Sequence, residues 1–192
     1  MSRLFIKLRA IERPWSQSVA DVIAYFNYLE GGICQKINRL SQHEWIRQFF
    51  TVISRLGDGG GWAVIGVAMI VMQGRPALGS IVQMIATCLV GIALYKVLKN
   101  RLVRERPYIN HGDILCGAAP LDRYSFPSGH TLHAISFAVM ISHYQPALLP
   151  VVVPFALLVA ASRVILGLHY PSDVIVGAAI GATLAITSIT LF

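Results

Sequence analysis

His169 stands four residues before Asp173 in "HYPSD", with Pro171 between them. Proline suits the first turn of a helix, so this spacing puts Asp173 at a helix start, close to the histidine. A carboxylate there can hold one ring nitrogen and leave the other as a nucleophile or a base. A second histidine, His130, follows Pro127, Ser128 and Gly129 at the mouth of the apolar segment "SFPSGHTLHAIS". Ser128 is well placed as an N-cap. Gly129 lets an anion approach the backbone amides, where the helix dipole also favours negative charge. Cations gather in "KNRLVRERP" (Lys99, Arg101, Arg104, Arg106), and Arg163 opens "SRVILGLHYPSD". Guanidinium groups grip the oxygens of an oxyanion in bidentate fashion, and lysine adds a point charge. Two imidazoles among several cations point to phosphate and to a two-step phosphoryl transfer. One histidine attacks in line, the other protonates the leaving oxygen, and the arginines stabilise the equatorial charge.

These groups can act together only if the chain brings them to one place, and composition says how. The 192 residues are 55% hydrophobic and 13% charged, with a mean hydropathy of +0.62. Soluble domains carry about 25% charged residues. Ala77 to Tyr95, Tyr124 to Ser162 and Val174 to Phe192 contain no Asp, Glu, Lys or Arg. A membrane-crossing helix needs about 20 mostly apolar residues. Open sheets cannot cross lipid and no segment alternates as a barrel strand does, so the expected fold is an all-α integral membrane helical bundle. Five transmembrane helices are expected, over Trp62 to Met72, Ala77 to Leu98, Ser128 to Tyr144, Leu148 to Leu166 and Val174 to Phe192. A sixth is added if Val19 to Gly32 crosses. Alternation of the spans then places the ends of all three motif stretches on one membrane face, here called the motif face.

Residues 1–56 read as an amphipathic N-terminal helical segment and residues 57–192 as the transmembrane domain. Leu4, Phe5, Leu8 and Ile11 recur at helical spacing among Arg3, Lys7, Arg9 and Arg13, as in a helix lying in the membrane interface. "LGDGGGW" reads as a flexible turn with Asp58 as a turn residue. Cys34, Cys88 and Cys116 have neither metal spacing nor a disulfide framework. His130 and His133 lack a third ligand at metal spacing, so no metal and no cofactor is expected. His133 and His143 read as packed or interfacial, and His43 and His111 as solvated. The net charge of +7 fits lipid headgroups or an anionic substrate rather than nucleic acid. Taken singly, Lys99 to Arg106 could be a juxtamembrane basic patch, and Arg163 a snorkelling interface residue. Nothing in the sequence sets an oligomeric state.

Together the three stretches resemble the signature of the type 2 phosphatidic acid phosphatase family: K-x6-RP, then PSGH, then SR-x5-H-x3-D. The matching positions are Lys99, Arg106 and Pro107; residues 127–130; and Ser162, Arg163, His169 and Asp173. The resemblance implies that His169 is the nucleophile and forms a phosphohistidine. Asp173 would orient it, and His130 would be the general acid. Lys99, Arg106 and Arg163 would bind phosphate, with Ser128 and the Gly129 amide completing the cradle.

It also implies a metal-independent membrane enzyme whose substrate is a lipid phosphate or diphosphate. Small size and a short loop resemble bacterial undecaprenyl-diphosphatase-like members. Such members sit in the inner membrane of bacteria with the site facing the periplasm or exterior. Three other readings share some of these residues. A lipid phosphotransferase would use another hydroxyl in place of water. A vanadate haloperoxidase resembles the anion site, but those enzymes are soluble. A non-catalytic anionic-lipid-binding protein would need neither a nucleophile nor an acid.

Overall fold

The computed structural model describes residues 15–192. The expected interfacial helix carrying Leu4 to Arg13 lies outside the described residues. Helix α1 spans Trp15–Asn38 and leads through a 3-10 turn, Arg39–Gln42, into α2, Glu44–Arg55. Then come α3 (Gly61–Gln73), α4 (Pro76–Arg101), the single turn α5 (Pro107–Asn110) and α6 (Gly129–Tyr144). After a short 3-10 turn at Pro146–Leu148, α7 (Leu149–Ile165) and α8 (Pro171–Leu191) complete the chain, and no strand occurs among the described residues.

Four stretches are long and apolar enough to cross a membrane: Glu44–Gln73, Pro76–Arg101, Pro146–Ile165 and Pro171–Leu191. Proline stands at the start of α4 and of α8, where its missing amide costs nothing. With 26 residues, α4 is about 39 Å long, more than the roughly 30 Å of a bilayer's hydrocarbon core. Helix α6 has only 16 residues, yet it runs between the same two ends as the longer helices. At one end the Ser128 amide donates to the Asp173 carbonyl (3.0 Å), and at the other Gln73 donates to the Tyr144 carbonyl (2.8 Å). It is the centre of the bundle, burying Leu132, Ala134, Ala138, Met140 and Ile141 against α7 and α8.

Two glycines set how closely α8 approaches α6. A Cβ at Gly177 would lie 2.6 Å from the Ser128 carbonyl oxygen, and one at Gly181 would lie 2.2 Å from that of Leu132. Small residues four apart let membrane helices meet backbone to backbone. This contact brings the start of α8, with His169 and Asp173, against the Pro-Ser-Gly-His turn.

The structure corrects one expectation outright. "LGDGGG" is not a flexible turn: the chain passes from α2 to α3 through a widened π turn, Leu56–Gly60, within one long stretch. An amphipathic helix before the glycines and an apolar one after them carry the backbone through. Gly59 alone leaves the helical region (φ 137°), a conformation other residues avoid, and there the helix kinks. The division between residues 56 and 57 falls inside this turn. Helix α1 lies along the motif face. Asn27 bonds Arg104, Glu30 bonds Ser172, Gln35 bonds Asp113, and Asn38 bonds the carbonyls of Leu115 and Ile165.

Candidate active site

The motif face holds a cavity of about 570 Å³ whose walls include Lys99, Arg106, Gly129, His130, Arg163 and His169. Each arrives as the sequence suggests: from the end of α4, the loop after it, the start of α6, the end of α7 and the α7–α8 connector. His169 is buried, with Nε2 3.3 Å from Arg106 Nη1 and Nδ1 3.5 Å from Asp173 Oδ2. Burial, then the nearby charges of Arg106, Arg163 and Lys99, holds its pKa well below the ordinary imidazole value. The ring is therefore neutral at physiological pH, with a nitrogen lone pair available for chemistry.

Asp173 sits in the first turn of α8 and does not face the cavity. Its Oδ2 accepts from the Tyr170 amide (2.9 Å), the capping arrangement that opens the helix, and its Oδ1 accepts from Arg104 (2.6 Å). Ser128 caps α6 as expected. Its hydroxyl is turned inward to Thr131 (2.9 Å) and lies off the cavity wall.

Lys99 and Arg106 converge on one oxygen of Asp122, each at 2.7 Å. Arg106 also donates to the Leu168 carbonyl (2.7 Å), and Lys99 to that of Tyr124 (2.8 Å). Arg163 bonds the Ser54 hydroxyl of α2, while its Nε is buried without a partner. A buried donor left unpaired is costly, and here it belongs to a guanidinium on the wall of the cavity.

Sequence reasoning missed several members of this site. Asp58, read as a turn residue, contacts His130 Nε2, and both line the cavity. Its signal was available, because Asp58 is the only acidic residue between Glu44 and Glu105. Asp122 had no comparable signal, being one charge in a loop rich in them. Arg104, grouped with the phosphate cations, turns away from the cavity toward Asp173 and Glu30. Arg101 is exposed. His111, read as solvated, packs against the Tyr170 ring at 6.4 Å between centroids. His133 is packed as expected, edge-on to Tyr95 at 5.9 Å.

Below its polar end the cavity continues as an apolar groove between α3 and α4, walled by Trp62, Val67, Ile70, Ile81, Met84 and Ile85. Val67 and Ile85 are also exposed on the outer surface of the bundle. One space thus joins a cluster of cations to a greasy slot at membrane depth.

A model of the PAP2 superfamily matches residues 80–192, which contain every motif residue named above. The chain belongs to the PAP2 superfamily. Among its relatives, decaprenylphosphoryl-5-phosphoribose phosphatase of Mycobacterium tuberculosis is 38% identical over 100 residues, covering 51% of this chain and 53% of that protein. The chain thus spans about half the length of that curated relative. The undecaprenyl-diphosphatase of Sulfolobus acidocaldarius is 25% identical over 158 residues, 81% of this chain and 75% of that one. Among solved structures, Aquifex aeolicus LpxE superposes with a TM-score of 0.73 at 28% identity, covering 84% of this chain and 95% of that one. The PAP2 relationship agrees with the helical membrane architecture, and the family model covers α6, α7, α8 and most of α4.

Proposed function

We propose that this PAP2 protein is an integral membrane phosphatase that hydrolyses a lipid phosphate or diphosphate, without metal, through a phosphohistidine at His169. The observation that carries the proposal is the single cavity in which cations and a neutral histidine meet an apolar groove. A phosphate head fits the first part and a hydrocarbon tail the second. The PAP2 relatives named for decaprenylphosphoryl-phosphoribose and undecaprenyl diphosphate support a lipid of this kind.

In the proposed reaction the phosphate displaces Asp122 from Lys99 and Arg106 and takes a third contact from Arg163. The Gly129 amide, at the N-terminus of α6, faces the same charge. His169 Nε2 attacks phosphorus in line. The P–O bond to the leaving group breaks as the N–P bond forms, and His130 delivers a proton to the departing oxygen. Asp173 holds the Nδ1 proton and balances the positive charge that grows on the ring. Water, deprotonated by His130, then attacks phosphorus, the N–P bond breaks, and inorganic phosphate leaves. The cations stabilise the equatorial oxygens in both steps, the work a divalent ion does in other phosphoryl transferases. We further place the site on the periplasmic or exterior side of a bacterial inner membrane.

The test is phosphate release by purified protein across lipid monophosphates and diphosphates in excess EDTA. His169→Ala serves as the blank. Release that vanishes in that variant and persists in EDTA is expected. Release from none of the lipids, or release that EDTA stops and a divalent ion restores, would sink the proposal.

A further inference from the structure

Arg104 is buried, yet it cannot serve a substrate. Its Nη1 donates to Asp173 Oδ1 and to the Ser172 hydroxyl, both at 2.6 Å. Nη2 donates to Glu30 Oε2 (2.7 Å) and Nε to Asn27 Oδ1 (2.8 Å). Its guanidinium carbon lies 4.0 Å from the centre of the Tyr170 ring. Glu30, on α1, also accepts from the Ser172 amide (2.9 Å) and hydroxyl (2.8 Å). An acid from α1, a base from the α4–α6 loop and an acid from α8 therefore form one buried ionic chain that ends beside His169.

Such a chain is a poor stabiliser. Desolvating three charges is costly, and a well-packed apolar trio often does as well. Its position gives it another use. Asp173 Oδ2 lies 3.5 Å from His169 Nδ1, an ion-pair contact just short of a hydrogen bond, and Arg106 Nη1 lies 3.3 Å from Nε2; the charge on this carboxylate therefore shares with Arg106 in setting which ring nitrogen carries the proton. As a carboxylate it can only accept, which puts the proton on Nδ1 and leaves the Nε2 lone pair toward the cavity. A buried carboxylate stripped of its cation neutralises itself by taking up a proton. Its O–H would then donate to Nδ1, the ring proton would move to Nε2, and the attacking lone pair would be gone.

We propose that Arg104 and Glu30 are positioning residues for the His169–Asp173 pair. Arg104 keeps Asp173 in its carboxylate form and fixed in place, so that His169 presents its Nε2 lone pair. Glu30 balances and orients Arg104, which makes α1 a working wall of the site although it lies outside the family match. The other charged groups facing His169 are Arg106, Arg163, Lys99 and His130, all on the cavity side. None of them bonds the Asp173 carboxylate.

Resting on the assignment of His169 as nucleophile, the proposal is tested on the full-length protein in lipid nanodiscs. Ring-¹⁵N histidine spectra near neutral pH read the tautomer without any substrate, with His169 assigned by its loss in His169→Gln. The wild type is expected to carry the His169 proton on Nδ1. Arg104→Gln should invert the tautomer and lower kcat on the order of 10³- to 10⁴-fold, the scale a wrong imidazole tautomer costs a triad enzyme. KM and inhibition by inorganic phosphate should stay within about two-fold, because the phosphate grips are untouched. Arg104→Lys should retain the Nδ1 proton and recover part of kcat. Glu30→Gln, of the same shape, should lower kcat about ten-fold with KM unmoved.

An Arg104→Gln protein with a normal tautomer, whatever its yield or activity, overturns the proposal. If that variant does not fold, unchanged kcat in both Arg104→Lys and Glu30→Gln overturns it as well. Failure of the phosphatase assignment itself would look different, as a wild type that releases no phosphate.

Discussion

The Ser128 amide donates to the Asp173 carbonyl at 3.0 Å, so the second and third motifs are joined by backbone before any side chain acts. The bond exists because α8 lies directly on α6 over Gly177 and Gly181. It fixes His130, at the start of α6, and His169, just before α8, as walls of the same cavity. The spacing of the two histidines is therefore set by glycines that do not themselves line the cavity.

Gly181→Val should separate these helices. Its Cβ would meet backbone at 2.2 Å, which no rotamer change relieves. Overpacking of this kind costs about 1–3 kcal/mol. A misplacement of about 1 Å between the reacting groups can lower kcat on the order of 100-fold. Thermal unfolding in detergent and turnover of the purified variant check both. A variant with normal kcat would show that the α6–α8 contact does not set the site.

Asp122 occupies the cations that a phosphate needs. Asp122→Asn keeps the side chain's size and removes its charge, so Lys99 and Arg106 should bind anions more tightly. Vanadate and inorganic phosphate inhibition constants are expected to fall about ten-fold, equivalent to roughly 1.4 kcal/mol. KM should fall in parallel, and slower product release should limit any gain in kcat. Weaker vanadate binding would instead mean that Asp122 serves mainly to aim the two cations.

The depressed pKa of His169 predicts how stability responds to acid. Above the unfolded-state value of about 6.5 the ring is neutral in both states and contributes no pH dependence. Below it the unfolded chain takes up a proton that the native site refuses, so stability falls as pH falls. The slope is about 1.4 kcal/mol per pH unit, continuing down toward the folded-state pKa. Unfolding of wild type and His169→Gln in detergent, compared between about pH 7.5 and 5.5, should show the difference shrinking by that slope below about 6.5. Parallel curves would mean that the ring is solvated or already charged. By the same sign, protonation of His169 should not limit turnover at pH 6.5.

How much of this was legible in the sequence depended on whether the signal was local. Uncharged runs gave α4, α6, α7 and α8 within a few residues, because burial in lipid leaves few other readings. Alternation then brought Lys99, Arg106, His130, Arg163 and His169 together. The kinked helix through Asp58 was misread because glycines usually break helices. Helical sequence on both sides, amphipathic in α2 and apolar in α3, and contacts from α7 such as Val159 against Gly57 keep this one going. The partners of Lys99, Arg104 and Arg163 were not legible at all. Each is an ion pair or hydrogen bond between distant segments with no spacing rule: Asp122, Glu30 and Ser54 lie 23, 74 and 109 residues away.

The orientation of the motif face follows from two signals that oppose each other. Basic residues crowd this face while the α3–α4 turn carries only Arg75, which by the positive-inside rule would make the motif face cytoplasmic. Lys99, Arg106 and Arg163 line the cavity, however, and Arg104 is spent on Asp173, so these four report on the site rather than on topology. The proposed function puts phosphate removal at the periplasmic or exterior surface, and on that ground the motif face is expected to be exterior. Cys116 is the probe, because it is exposed in the loop between the first two motifs, while Cys34 is buried. Partial burial pushes its thiol pKa up, so labelling is best done under mildly alkaline conditions. A Cys34→Ser, Cys88→Ser variant should react with a membrane-impermeant maleimide in intact cells whose outer membrane, if any, is permeabilised. Arg75→Cys in a background lacking the three native cysteines should be protected until the inner membrane is lysed. The reverse pattern, with Arg75→Cys labelled from outside and Cys116 only after lysis, would place the site in the cytoplasm and overturn the proposed orientation.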